Sequence, residues 1–170
     1  MALKTFSFKT SSKRLIADVV TPVSIYLKLR DRFANTFLLE SSDYHAADNS
    51  YSYICCNPIA SFSLKRNVVS MMYPDGSSDE VKLKERSDAI DLLAEFISGF
   101  TADDQSYNFI TNGLFGYISY DAVEHFEDIE LHDRDKPDYD IPEIHYTVFR
   151  NVLVVNHFKS ELFIFDHQLE

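Results

Sequence analysis

The sequence predicts an α+β fold, a mainly antiparallel sheet packed with two or three helices, and three observations carry that expectation. Segments that alternate apolar and polar residues recur along the chain, at the period of two that a half-buried strand requires. Two segments carry a helical period with capping residues at their ends, one opening at Thr21-Pro22 and one after Ser87. The aromatic share is 14%, drawn from 14 Phe and 10 Tyr without Trp, and such rings pack well on a pleated surface. With 170 residues, 45% of them apolar, the chain suffices for one domain with a sizeable core.

The elements follow in order. Lys4 to Lys9 alternates and reads as a strand, and a turn at Ser11-Ser12-Lys13 leads to a second short strand, Arg14 to Asp18. Thr21 can accept a hydrogen bond from a free amide at a helix start, and Pro22 has no amide to leave unpaired there. Val23, Tyr26, Leu27 and Arg30 fall on one helix face, with basic residues near the C-terminal end where the dipole favours them. Thr36 to Ser41 is a dense apolar run ending in two polar residues, the pattern of a central strand whose last residues reach a sheet edge. Tyr51 to Cys56, Ser61 to Lys65 and Val68 to Tyr73 read as strands, and Pro74-Asp75-Gly76 as the hairpin turn before a return strand, Glu80 to Lys84.

The second helix has Ser87 as N-cap, Asp88 and Asp91 in its first turn, and Gly99 as terminator. Its apolar face is Ile90, Leu93, Phe96 and Ile97. Phe109 to Tyr120 is apolar with two glycines, and Glu124 to Asp140 is acidic. Two strands close the chain, Ile144 to Asn156 and Glu161 to Asp166, around a turn near Lys159-Ser160. No repeat or internal linker interrupts the pattern, so residues 1–168 read as one domain. Leu169-Glu170 and Ala2 read as expression remnants, and the abrupt close reads as the end of a fragment.

Composition narrows the function. A net charge of −11 repels phosphate backbones, and no basic stripe is interleaved with aromatics, so nucleic acid and anionic membranes are disfavoured partners. No apolar run has the length of a membrane span, and the N-terminus has no signal-peptide core. The two cysteines, Cys55 and Cys56, are adjacent and have no third to pair with, which fits a reducing cytoplasm.

Catalytic signatures are missing. Gly113-Leu114-Phe115-Gly116 lacks the third glycine and the Lys/Ser pair of a phosphate loop, no serine sits in a nucleophile elbow, and no His/Cys set has zinc spacing. The run from Glu124 to Asp133 reads as a solvated acidic loop, because its spacing fits no metal-ligand geometry. His45, His145, His157 and His167 are scattered and read as surface or satisfied strand residues; Cys55 and Cys56 read as inert core thiols. Gly113 and Gly116 suit a bulge or a close backbone approach as well as they suit a ligand-facing role.

Leu38-Leu39-Glu40-Ser41 has the chemistry an amino-acid ligand needs. Glu40 or a neighbouring carbonyl can receive an ammonium group, Ser41 can bond a polar atom, and Leu38 and Leu39 supply apolar backing. By residue type alone, a plain strand end with polar termini is the simpler reading.

These residues resemble a known family. Leu38-Leu39-Glu40-Ser41 resembles the LLES motif that lines the feedback tryptophan site of anthranilate synthase component I. Tyr51-Ser52-Tyr53-Ile54 with Asn57-Pro58 is similar to that family's aromatic strand and its exit. Gly113-Leu114-Phe115-Gly116-Tyr117-Ile118-Ser119-Tyr120-Asp121 is similar to its GG-x-x-GY-x-SYD segment, with Glu124 close behind. Pro142 to Asp166 resembles the closing strand pair, with Asn156-His157 where the family often has Asp-His. The likeness covers essentially the whole chain. It departs at Ser50, where the family commonly has Arg, at Cys55, where it has Gly, and at Asn112, where it has the first glycine; a ligand contact from the Arg position does not carry over.

The resemblance implies the N-terminal regulatory region of a subunit that converts chorismate to anthranilate and pyruvate. It implies ammonia from a glutamine amidotransferase subunit and one Mg2+ held by carboxylates of a C-terminal chorismate-binding region that this chain lacks. No catalytic residue, cofactor or metal ligand is then expected here. Tryptophan is expected at Leu39, Glu40 and Ser41, with Leu38, Ser52, Gly113, Gly116 and Tyr117 as neighbours. Effector binding by the isolated chain is expected to be weak, and its uncovered strand faces to favour self-association. Two other readings are an aminodeoxychorismate synthase component I region serving folate synthesis and a stand-alone small-molecule-binding module.

Overall fold

The computed structural model describes residues 4–40, 50–103, 106–129 and 141–170. Nine strands are described: β1 (Phe6–Ile16), β2 (Phe37–Glu40), β3 (Tyr51–Lys65), β4 (Val68–Met72), β5 (Ser78–Lys82), β6 (Phe100–Ala102), β7 (Leu114–Ile118), β8 (Ile144–Asn156) and β9 (Glu161–Leu169). Two α-helices, α1 (Pro22–Arg30) and α2 (Asp88–Ser98), and a 3-10 helix, Tyr120–His125, complete the described elements. Hydrogen-bonded neighbours run β5-β4-β3-β8-β9-β1-β6, with β2 paired to β3 and β7 to β8. The pairs β1–β9, β2–β3, β3–β4, β4–β5 and β8–β9 are all antiparallel, so the fold is the α+β, mainly antiparallel class.

The chain divides into two compact units, each discontinuous in sequence: one from Met1–Phe6, Ile59–Thr101 and Gly116–Thr147, the other from Ser7–Pro58, Ala102–Phe115 and Val148–Glu170. Because β3 and β8 contribute residues to both, no linker composition marks a boundary.

The first unit is built on the β3-β4-β5 hairpins. Gly76 at φ +80 turns the chain, while the Asp75 carboxylate accepts hydrogen bonds from the Ser77 amide at 2.8 Å and the Ser77 hydroxyl at 2.6 Å. The return strand begins at Ser78, two residues earlier than the turn chemistry predicts, because Met72 pairs directly with Ser78. Helix α2 follows Ser87, but the Asp88 carboxylate, not the Ser87 hydroxyl, accepts from the amides of Lys84 and Glu85. Phe96 of α2 stands at the centre of this unit's core, 5.8 Å from Phe62, 5.7 Å from Tyr73 and 4.9 Å from Phe100 between ring centroids.

In the second unit the β8 run Val152–Val155 is buried on both faces. Val152 and Val154 join Tyr51, Cys55, Phe115, Phe149, Phe163 and Phe165; Leu153 and Val155 join Ile54, Cys56 and Leu162. Ile25, Tyr26 and Leu29 of α1 pack on the latter cluster. The start of α1 is a full capping box, with Thr21 Oγ1 accepting from the Ser24 amide and Ser24 Oγ accepting from the Thr21 amide, each at 3.1 Å.

Five further expectations need correction. The N-terminal segment is one strand without a turn at Ser11-Ser12-Lys13: its ladder to β9 runs unbroken from Phe8↔Leu169 to Ile16↔Glu161, and pairing overrides the polar residues' turn preference. β3 continues through Asn57-Pro58 instead of exiting, with a local irregularity at Asn57, whose φ of +62 asparagine tolerates. β9 extends past Asp166 to Leu169, and Glu170 accepts a hydrogen bond from the Ser7 hydroxyl at 2.7 Å. β2 is not central: among the described strands it pairs only with β3. Finally, Glu124 and His125, expected in a solvated loop, are buried in the 3-10 helix. The acidic residues from Glu130 to Asp140 lie outside the described residues.

Candidate functional site

The candidate site is the end of β2. Four rungs tie it to β3: Phe37↔Cys55, Leu38↔Ile54, Leu39↔Tyr53 and Glu40↔Ser52. Successive side chains of a strand point to opposite faces, and directly paired residues share a face. Leu38 and Glu40 therefore share the face of Ile54 and Ser52, whereas Leu39 shares that of Phe37 and Tyr53. Leu38 packs into the cluster of Ile54, Cys56 and α1, and Phe37 reaches Phe149 edge-on at 5.2 Å. Leu38 and Leu39 thus do not form one apolar wall. Leu38 is half-buried core, while Leu39 is 39% exposed on the opposite face.

Glu40 is exposed at the last described rung, and Ser41 lies outside the described residues. Opposite Glu40, Ser52 is fully buried, and its Oγ sits 2.7 Å from Nε2 of His157. The His157 amide donates to the Ser50 carbonyl at 3.1 Å. His157 belongs to the turn between β8 and β9, about a hundred residues downstream of Ser52, and no local signal in the sequence couples the two.

Gly113, also in the second unit, holds φ +136 with no atom within 4 Å of an added Cβ, so its backbone conformation alone calls for glycine. Gly116 and Tyr117 belong to the first unit. An added Cβ at Gly116 would lie 1.9 Å from the His145 carbonyl oxygen, which identifies the close backbone approach that this glycine permits. The Tyr117 ring is 6.1 Å from that of His145.

The first unit also contains a buried polar cluster that sequence reasoning missed. His125 Nε2 lies 2.8 Å from the Glu143 carboxylate and Nδ1 lies 3.2 Å from the Arg86 carbonyl. The Arg86 guanidinium is 3.9 Å from the Glu124 carboxylate and donates to the Ile129 carbonyl at 3.3 Å. The groups come from α2's leading turn, the 3-10 helix and the lead into β8, so only tertiary structure assembles them. Its opposite charges offset each other's desolvation, a structural role. Among the described residues, no three His, Cys, Asp or Glu groups are arranged to hold a metal.

The remaining candidates are structural. His167 is buried, hydrogen-bonded to the Thr10 hydroxyl at 2.9 Å and the Thr111 carbonyl at 3.1 Å, and burial lowers its pKa. Burial likewise lowers that of His145. Cys55 and Cys56 are free and buried; burial raises both thiols, Cys56 to about 11, so neither is an activated nucleophile. His45 lies outside the described residues. No described helix is long and apolar enough to cross a membrane.

Comparison with known proteins points one way. The chain is 31% identical to anthranilate synthase component 1 of Aquifex aeolicus (strain VF5) over 84% of its own length and 28% of that protein's. It is 24% identical to anthranilate synthase component 1 of Lactococcus lactis subsp. lactis (strain IL1403), over 88% of its length and 30% of that protein's. The chain therefore spans about a third or less of these relatives. The solved structure of anthranilate synthase component I from Streptococcus pneumoniae TIGR4 superposes with a TM-score of 0.50 at 22% identity, over 88% of this chain and 30% of that one, a likeness of fold. No family model matches the chain.

Proposed function

The chain is homologous to the N-terminal part of anthranilate synthase component I, and from that premise we propose that it is the regulatory region of such a subunit, carrying part of its tryptophan feedback site. The observation that carries this reading is the strand end itself. Glu40 stands exposed at the last described rung of β2, within Leu38-Leu39-Glu40-Ser41, and backed by a fully buried Ser52. An exposed carboxylate at a strand end suits the ammonium group of an amino acid, through charge-assisted hydrogen bonds. Tryptophan bound there inhibits from a distance by binding one state of the subunit more tightly than another.

On this reading the parent subunit, a cytoplasmic enzyme, converts chorismate to anthranilate in tryptophan biosynthesis with ammonia from a glutamine amidotransferase subunit. Mg2+ and the catalytic groups belong to a C-terminal chorismate-binding region beyond this chain. The chain alone has no lyase activity and binds tryptophan weakly, because the missing segments supply contacts and preorganisation.

Replacing Ser41 tests the reading. In the full-length subunit, Ser41→Ala weakens tryptophan inhibition and leaves uninhibited turnover nearly intact. Unchanged inhibition removes Ser41 from the site. Calorimetric titration of the 170-residue chain and the full-length subunit with tryptophan gives the second measure. Equal affinity in both would refute the claim that the chain holds only part of the site.

A further inference from the structure

The rung that carries Glu40 is positioned from outside its own strands. Glu40 pairs with Ser52, the second residue of β3, whose other edge is hydrogen-bonded to β8. His157, just past the end of β8, adds a side-chain hold at this end of the strand. Its ring Nε2 meets the Ser52 hydroxyl at 2.7 Å, and its amide donates to the Ser50 carbonyl at 3.1 Å, so one residue grips both sides of Tyr51. Tyr51 in turn is buried, with its ring 5.1 Å from that of Phe109 on the opposite sheet face. His157 is itself fixed: buried Asn156 accepts the Lys159 amide at 2.9 Å and closes the turn that carries it.

We infer that His157 is a positioning residue for the effector site, setting the place of Glu40 through Ser50 and Ser52. The inference rests on the effector reading above and adds a regulatory residue to it. His157 acts through Ser52: removing its ring leaves a fully buried hydroxyl without that partner, which drives the start of β3 to shift toward another partner or water. The β2 end follows, because its last described rung is made with Ser52.

The test is titration of the isotopically labelled 170-residue chain with L-tryptophan, read by backbone amide shifts, alongside thermal melts. In the parent chain, tryptophan shifts the amides of Glu40 and Ser52. His157→Ala weakens this binding about fivefold, the factor that one part-buried hydrogen bond represents. His157→Gln, whose side-chain amide can keep the bond to Ser52, stays close to the parent chain. Ser52→Ala weakens binding as well, and combining it with His157→Ala adds little, because both remove the same contact. Should His157→Ala fail to fold, the Ser52→Ala and His157→Gln comparison decides. Parent-like binding in His157→Ala or in Ser52→Ala, additive losses in the pair, or loss of binding in His157→Gln each overturns the positioning role. Absence of tryptophan shifts in the parent chain, or parent-like binding by Glu40→Gln, instead overturns the effector reading, and the inference falls with it.

Discussion

Gly116→Ala puts the packing argument at its sharpest. The glycine sits on β7, its φ outside the left-handed region, so the backbone itself would accept alanine. Space would not: the new Cβ lies 1.9 Å from the His145 carbonyl oxygen and 2.8 Å from both the His145 carbonyl carbon and the Tyr146 Cα. These are backbone atoms of the paired strand β8 and its first residues, and no rotamer change relieves them. Restoring ordinary contact at 3.4 Å requires β7 and β8 to part by about 1.5 Å, enough to break the hydrogen bonds at that rung. Overpacking and one or two lost ladder bonds together cost about 3 kcal/mol, less the few tenths gained by stiffening the unfolded chain. For a domain of this size that lowers the melting temperature by about 6–12 °C. Thermal unfolding followed by far-UV circular dichroism, without any ligand, measures it. A Gly116→Ala chain melting within about 2 °C of the parent would refute the account and return Gly116 to a ligand-facing role.

Two further outcomes follow from the titratable groups. Cys55 and Cys56 should resist a thiol reagent in the native chain at mildly alkaline pH and react fully once it is unfolded; rapid native labelling would contradict their burial. Burial lifts Cys56 from 9.0 to about 11, so its contribution to stability is whole below pH 9 and drains away as pH rises through that interval, when only the unfolded thiol ionises. Asp166 runs the opposite way. The Arg150 hydrogen bond at 2.8 Å, helped by Gln168 and Asn151, holds its carboxyl below 3.8. Its contribution is therefore complete above the ordinary carboxylate range and is lost as pH falls through the lowered value. Melts across acid pH should show a shallower loss of stability in Asp166→Asn than in the parent chain, and equal slopes would exclude Asp166 as a contributor.

Local chemistry was legible wherever a residue acts on its immediate neighbours. Thr21-Pro22 and Ser24 form the capping box at the start of α1, Pro74-Asp75-Gly76 turns the β4-β5 hairpin, and Gly99 follows α2. The bounds of β8, Ile144 to Asn156, were readable because β-branched and aromatic residues run through it and a turn follows. Where pairing decides, the reading failed. Ser11-Ser12-Lys13 has turn composition, yet nine rungs to β9 keep it extended. Thr36 to Ser41 has the apolar density of a central strand, but β2 is a short ladder on β3 alone among the described strands. Burial of Glu124 and His125 was invisible because their partners, Arg86 and Glu143, come from distant segments.

The sequence by itself determined the class of fold, the cap at Thr21, the turn at Pro74-Asp75-Gly76, and the residue types at the strand end Leu38-Leu39-Glu40. These depend on periods, φ preferences and hydrogen bonds spanning a few residues. Only the tertiary structure decided which of Leu38 and Leu39 turns to the core and that they pair with Ile54 and Tyr53, that Gly116 is a contact point for a neighbouring strand, and that Ser52 is held by His157. Register and long-range pairing carry that information, since a shift of one residue would send every side chain to the other face.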